Sequence, residues 1–166
     1  MILNKLFKKS WTDNLNILAG ILIFVGVIGF SDATYLTIKH YRNEIPPCSI
    51  THGCGQVTAS PYSKILGIPV ALLGAIYYLA VLAGTLAYLD TKNEQLLGLT
   101  AVATWAGLVM SLWFLGVQAF IIKAFCQYCL LSAVTSTLLW ITGLFVIRQL
   151  DSHRSLYERF KNLVLK

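Results

Sequence analysis

Four cysteines stand in this 166-residue sequence as two pairs of unequal spacing. Cys48 and Cys54, with five residues between them, lie in a polar stretch containing Pro46, Pro47, Gly53 and Gly55, while Cys126 and Cys129 form a Cys-x-x-Cys at the head of a hydrophobic run. On a helix, positions i and i+3 share a face and stand about 4.5 Å apart along the axis. A thiol at a helix N-terminus meets the positive end of the helix dipole and free N–H groups, which stabilise its thiolate. That arrangement suits thiol–disulfide exchange, in which a thiolate attacks a disulfide sulfur. Cys129, one turn further into the apolar run, is the candidate to face a lipid-soluble acceptor, and Cys126 the candidate to exchange with the loop. Cys48 and Cys54 can pair in an oxidising compartment, and the loop can move the pair. The same residues carry two other readings. One is purely structural, with a loop staple and buried helical thiols. The other is a four-cysteine zinc site, which ordinarily takes two tight pairs where this chain has one.

The elements that must position these thiols are apolar. With 57% hydrophobic and 12% charged residues and a mean hydropathy of +0.69, an ordinary soluble domain is excluded. Four segments, about 17–38, 69–89, 96–122 and 126–147, are each long enough to cross a hydrocarbon core of about 30 Å. The third is the longest and is expected to tilt or project. The first has too long a hydrophobic stretch for a cleavable signal, and no small-x-small site ends it. The expected fold class is an all-α membrane protein, a single four-helix bundle domain over residues 1–166 with no separate soluble domain. Gly and Ala along the segments favour close helix packing.

Basic residues set the expected orientation. Lys5, Lys8, Lys9, Lys92, Arg148, Arg154, Arg159, Lys161 and Lys166 fall on one side, against Lys39, Arg42, Lys64 and Lys123 on the other. Nine against four places both termini in the cytoplasm and all four cysteines at the outer face, where disulfides persist. The net charge of +6 reflects this asymmetry and calls for no nucleic acid. In the basic tail, 148–166, the spacing of Leu156, Phe160 and Leu163 predicts an amphipathic helix on anionic lipid. The outer loop, about 39–68, is the one substantial extramembrane segment. In it, Ser60 as N-cap, Pro61 at the first position and Gly67 past the end predict a short capping helix over about 61–66. The connection at Lys123–Phe125 is so short that the third and fourth helices must be antiparallel neighbours.

Cys48, then Gly53-Cys54-Gly55-Gln56-Val57, Ser60, Gly67-Ile68-Pro69 and finally Cys126-Gln127-Tyr128-Cys129 resemble the vitamin K epoxide reductase family. The resemblance runs from the first helix to the fourth, and its order is specific: loop pair first, Cys-x-x-Cys at the head of the last helix. Quinone-linked oxidoreductases of the DsbB type place their Cys-x-x-Cys in the first outer loop instead. The chain looks like a prokaryotic member without a fused thioredoxin-like domain. The resemblance implies an enzyme of the prokaryotic plasma membrane that oxidises a thioredoxin-fold (DsbA-like) partner supplied in trans and reduces a membrane quinone, supporting disulfide-bond formation. Cys48 and Cys54 would receive electrons and Cys126 and Cys129 deliver them, with Ser60 and Cys129 near the quinone and no metal. Animal members carry a tyrosine where this chain has Ala133, so ubiquinone or menaquinone is implied rather than vitamin K epoxide. The alternative from another class is a structural or transport-associated membrane protein with structural disulfides or a four-cysteine metal site.

Other residues have readings of their own. Asp32 lies inside the first helix, and acids within a membrane segment are functional hypotheses by default; the competing reading is a carboxylate hydrogen-bonded near the interface. His40 and His52 are loop residues that could assist a thiolate, His52 especially, although a solvated loop histidine is the favoured reading. Trp105, Trp113, Phe114 and Phe120 could line a quinone pocket or face lipid, the latter being usual.

Overall fold

The computed structural model describes the backbone of residues 2–51 and 53–164, and the side chains of 12–51 and 53–152. The basic clusters at Lys5–Lys9 and Arg154–Lys166, the Leu156/Phe160/Leu163 face and His52 lie outside the described side chains.

Helix α1 (Ile2–Tyr41) leads through the loop to α2 (Cys54–Ala59), a 3-10 turn (Pro61–Ser63) and the two-residue strands β1 (Lys64–Ile65) and β2 (Ile68–Pro69). Helices α3 (Val70–Thr91), α4 (Glu94–Gly116) and α5 (Gln127–Val164) follow, with a π turn (Val117–Ile122) extending α4. Among the described residues, four stretches are long and apolar enough to cross a membrane: Thr12–Tyr41, Val70–Thr91, Glu94–Ile122 and Gln127–Ser152. The helices form a ring in which α1 packs on α3 and α5, and α4 packs on α5 and α3. Phe24, Leu99, Val109 and Leu138 point outward, as a surface in contact with lipid tails requires.

The loop does carry a short helix, but at Cys54–Ala59 rather than the expected 61–66. Pro61 begins only a single 3-10 turn. A longer helix is blocked because Leu66 and Gly67 both have positive φ, 52° and 82°. Two such residues in sequence suit a tight hairpin turn, and Ile65 and Ile68 pair across it. Ser60 does not N-cap with its side chain. Its Oγ donates instead to Val57 O at 2.8 Å, closing the end of α2.

At the end opposite the cysteines, α3 stops at Lys92, whose φ of 53° is left-handed, and the Asn93 side chain accepts from Gln95 N–H at 3.0 Å to start α4. A two-residue turn therefore joins α3 to α4. The core of this half is continuous: Leu15, Leu22, Val81, Tyr88, Leu97 and Leu139 are all buried in one cluster. Two threonines inside the bundle satisfy themselves locally, Thr85 on Val81 O at 2.7 Å and Thr100 on Leu96 O at 2.9 Å.

Tyr78 ties three helices together. Its hydroxyl donates to Ser132 O at 2.9 Å and meets Thr135 Oγ1 at 2.7 Å on α5. Its ring fills the space above Gly29 of α1, where any Cβ would collide with it. Because the ring is anchored, it cannot move aside. Gly29→Ala is expected to destabilise by about 1–3 kcal/mol, the usual cost of overpacking. Gly20→Ala, where nothing lies within 4 Å, should leave the melting temperature in detergent unchanged. Equal melting of the two variants would contradict this packing.

Candidate active site

The cysteine end of the bundle is organised by the turn from α4 into α5. Lys123, with φ 55°, reverses the chain after the π turn. Ala124 N–H donates to Gln118 O at 3.2 Å, and Cys126 N–H donates to Gln118 Oε1 at 2.9 Å. Leu130 N–H donates to Cys126 O at 3.0 Å, so Cys126 is the residue that caps α5 and Cys129 lies in its first turn. Gln118 is fully buried, and its amide satisfies a backbone N–H that lies beyond the helical ladder. Sequence reasoning does not single out Gln118; its one signal is a lone amide in an otherwise apolar run, eight residues before Cys126.

The loop packs directly on this turn. Gly53 lies against the backbone of Phe125 and the Cβ of Ala124, and a Cβ added at Gly53 would collide with both. The α4–α5 turn thus makes a close approach that only a glycine permits here. It brings Cys54 into one buried cluster with Val57, Ala124 and Cys126. Cys54 is fully buried and heads α2; Cys48 is only half-buried. The two are joined by a disulfide with Cα atoms 5.8 Å apart. Cys126 and Cys129 are free thiols, Cys126 buried and Cys129 partly so.

The two residues between the helical thiols clip the loop. Gln127 Oε1 accepts from Ser49 N–H at 3.3 Å and Ile50 N–H at 3.2 Å, while its Nε2 donates to Pro47 O at 3.3 Å. Tyr128 Oη donates to Pro47 O at 3.0 Å, and its ring packs 5.3 Å from Tyr35 of α1. The residues on either side of Cys48 are therefore held by the Cys-x-x-Cys motif itself. At the rim, Lys39 Nζ lies 2.6 Å from Glu44 Oε2, and this ammonium holds the Glu44 carboxyl below the usual carboxylate range.

Beneath the loop lies a cavity of about 610 Å³ whose walls are mostly apolar. Of the four cysteines, Cys129 alone lines it. Ser60 and Ala133 are also on its wall, as is Phe114; Trp105, Trp113 and Phe120 are turned outward. Three buried polar atoms without a hydrogen-bond partner belong to residues of this wall: Asp32 Oδ2, Tyr77 Oη and Gln118 Nε2. The last two are donors, and orphaned donors are rare in a buried setting. The volume is that of a small-molecule site, and a flat apolar guest bearing carbonyl oxygens fits both the walls and the donors. Of Asp32, Oδ2 is buried and makes no hydrogen bond to another described protein group.

Two of the four cysteines are bonded to each other, so they are not zinc thiolates in this structure. Among the described residues, no group of three or more His, Cys, Asp or Glu is arranged to hold a metal.

A search of curated proteins returns no match. A family model does match, over residues 20–144, from within α1 through the loop pair and the Cys-x-x-Cys to the middle of α5. With most of the chain matched, this protein belongs to the vitamin K epoxide reductase family.

Proposed function

We propose that this thiol–disulfide oxidoreductase reoxidises a thioredoxin-fold protein outside the membrane and passes the electrons to a membrane quinone. The observation that carries the reading is the grading of the four sulfurs. Cys48 is half-buried in the loop, Cys54 is buried against Cys126, and Cys129 alone lines the cavity. The excess of basic residues at the termini supports an orientation with the cysteine end outside, in the plasma membrane of a prokaryote.

Each step then follows from access. A thiolate of the partner attacks the loop disulfide at Cys48, the more accessible sulfur, and Cys54 leaves as thiolate. Cys54 attacks Cys126, beside which it is packed, and Cys129 is released. The partner's second thiol frees Cys48 and departs oxidised. Cys48 then closes on Cys54, which leaves Cys126 and Cys129 reduced. The structure has these oxidation states: loop disulfide closed, Cys-x-x-Cys open. From here Cys129, on the cavity wall, gives up electrons as Cys126 closes the second disulfide. A bound ubiquinone or menaquinone supplies the acceptor for two electrons and two protons. Tyr77 and Gln118 orient it by donating hydrogen bonds to its carbonyls. Ser60 shapes the cavity rim through its bond to Val57 O, and Ala133 leaves room where a larger side chain would narrow the space.

Cys129→Ala tests this order. Without Cys129 there is no second disulfide to receive electrons, and the lone Cys126 thiolate can only attack the loop disulfide at Cys54 with Cys48 leaving, so mass spectrometry of the variant should find a Cys54–Cys126 disulfide with Cys48 free, and quinol production at background. A Cys48–Cys126 bond, or quinol formed at the wild-type rate, would refute the path. Gln127→Ala should release the loop from α5 while leaving every sulfur in place. Losing three loop hydrogen bonds of roughly 1 kcal/mol each slows transfer between the pairs by on the order of tenfold or more. Stopped-flow transfer at the wild-type rate would mean that the clip does not position the loop.

A further inference from the structure

The electron path leaves two protons unaccounted for, and one buried acid unused. Asp32 sits in the membrane-crossing part of α1 and is 8% exposed. The other acids whose side chains are described, Asp13, Glu44, Asp90, Glu94 and Asp151, are all exposed. Asp32 lines the same cavity as Cys129, and its Oδ2 is buried with no hydrogen-bond partner. An acid kept in lipid surroundings without a partner is costly, and such residues mark proton routes.

The other polar groups of the wall are less suited to moving a proton. Tyr78 Oη is already engaged with Ser132 and Thr135. Gln118 carries an amide, which does not titrate. Lys39 and Glu44 are paired with each other at the rim. Asp32 also has a way out. Leu36, Lys39 and His40, one to two turns along the same face of α1, line the cavity as well, so it runs from Asp32 up to the charged rim.

We propose that the Asp32 carboxyl group is the proton carrier of this site, taking protons from the Cys126/Cys129 dithiol and donating them to the oxygens of the reduced acceptor. The inference rests on the electron path given above. The balance closes: forming the Cys126–Cys129 disulfide releases two electrons and two protons, and a quinone takes up both as the hydroquinone. Asp32 accepts the Cys129 proton as carboxylate, gives it up as carboxylic acid, repeats this for the Cys126 proton and ends unchanged. Asp32 is in this sense a catalytic residue, acting on the reacting atoms by general acid–base transfer.

The test uses full-length protein in lipid nanodiscs, wild type and Asp32→Asn. With a reduced thioredoxin-fold donor and a soluble ubiquinone analogue, Asp32→Asn should form quinol about 10²-fold more slowly, the usual scale for a lost acid–base group. Quinone-free transfer from the donor into the two disulfides should slow far less than quinol formation does, and equal slowing of the two would overturn the inference. An infrared difference spectrum between disulfide and dithiol forms, recorded without quinone, should show a protonated-carboxyl C=O signal in wild type that is absent in Asp32→Asn. If the Asn variant does not fold, Asp32→Glu serves, and its carboxyl signal must be displaced from the wild-type position. Wild-type quinol formation with an equally active Asn variant, or a carboxyl signal untouched by substitution, would overturn the inference alone. Absence of quinol from the wild-type protein would overturn the electron path beneath it.

Discussion

The cysteine end of this protein depends on one hydrogen bond, from Cys126 N–H to the buried Gln118 side chain. A reversal from α4 into α5 within a few residues leaves backbone groups that lipid cannot satisfy. Gln118 meets this need from inside the bundle, where its Oε1 takes the N–H of the capping cysteine. Replacing that acceptor by an apolar group would leave a buried donor unpaired, at a cost of about 1–3 kcal/mol. The π turn is part of the same solution. It widens the helix at its last turn so that the chain can reverse at Lys123 and still present Gln118 inward. Everything else at this end is built on the turn: Gly53 packs on it, Cys54 is placed beside Cys126, and Gln127 and Tyr128 hold the loop.

The bundle is therefore unlike at its two ends. Opposite the cysteines, a packed apolar core and a two-residue turn close it. Beneath the cysteines, the same four helices enclose a cavity into which one thiol faces. Tyr78 marks the boundary, held over Gly29 and bonded across to α5. On the proposed path, electrons arriving at the loop move inward through Cys126 to Cys129. Cys54 and Cys126 already share one buried cluster.

Much of this was legible in the residues. Four apolar runs of spanning length could only be helices in lipid, and the short Lys123–Phe125 link could only join antiparallel neighbours. The i, i+3 spacing of Cys126 and Cys129 ranked them by depth, and Cys129 does line the cavity. The loop was read less well. Ser60-Pro61 reads as a helix start, but the positive φ at Leu66 and Gly67 makes a hairpin there, and the helix forms earlier, at Cys54. Such a choice is decided by packing against the α4–α5 turn, which has no local signature. Gln118 and Gln127 were missed for the same reason: each bonds to groups distant in sequence or across a turn. Asp32 stood out by type, but only the structure shows that its Oδ2 is unpaired and that it shares a cavity with Cys129.

The central claim is that the two cysteine pairs form one electron path ending in a quinone. It is tested most directly by mixing the purified protein anaerobically with a reduced thioredoxin-fold donor and a quinone, and counting products. The account predicts one quinol formed for each donor disulfide, with the stoichiometry lost when either pair is removed. Donor oxidation without matching quinol, or quinol production that survives removal of the loop pair with the donor as sole reductant, would contradict it.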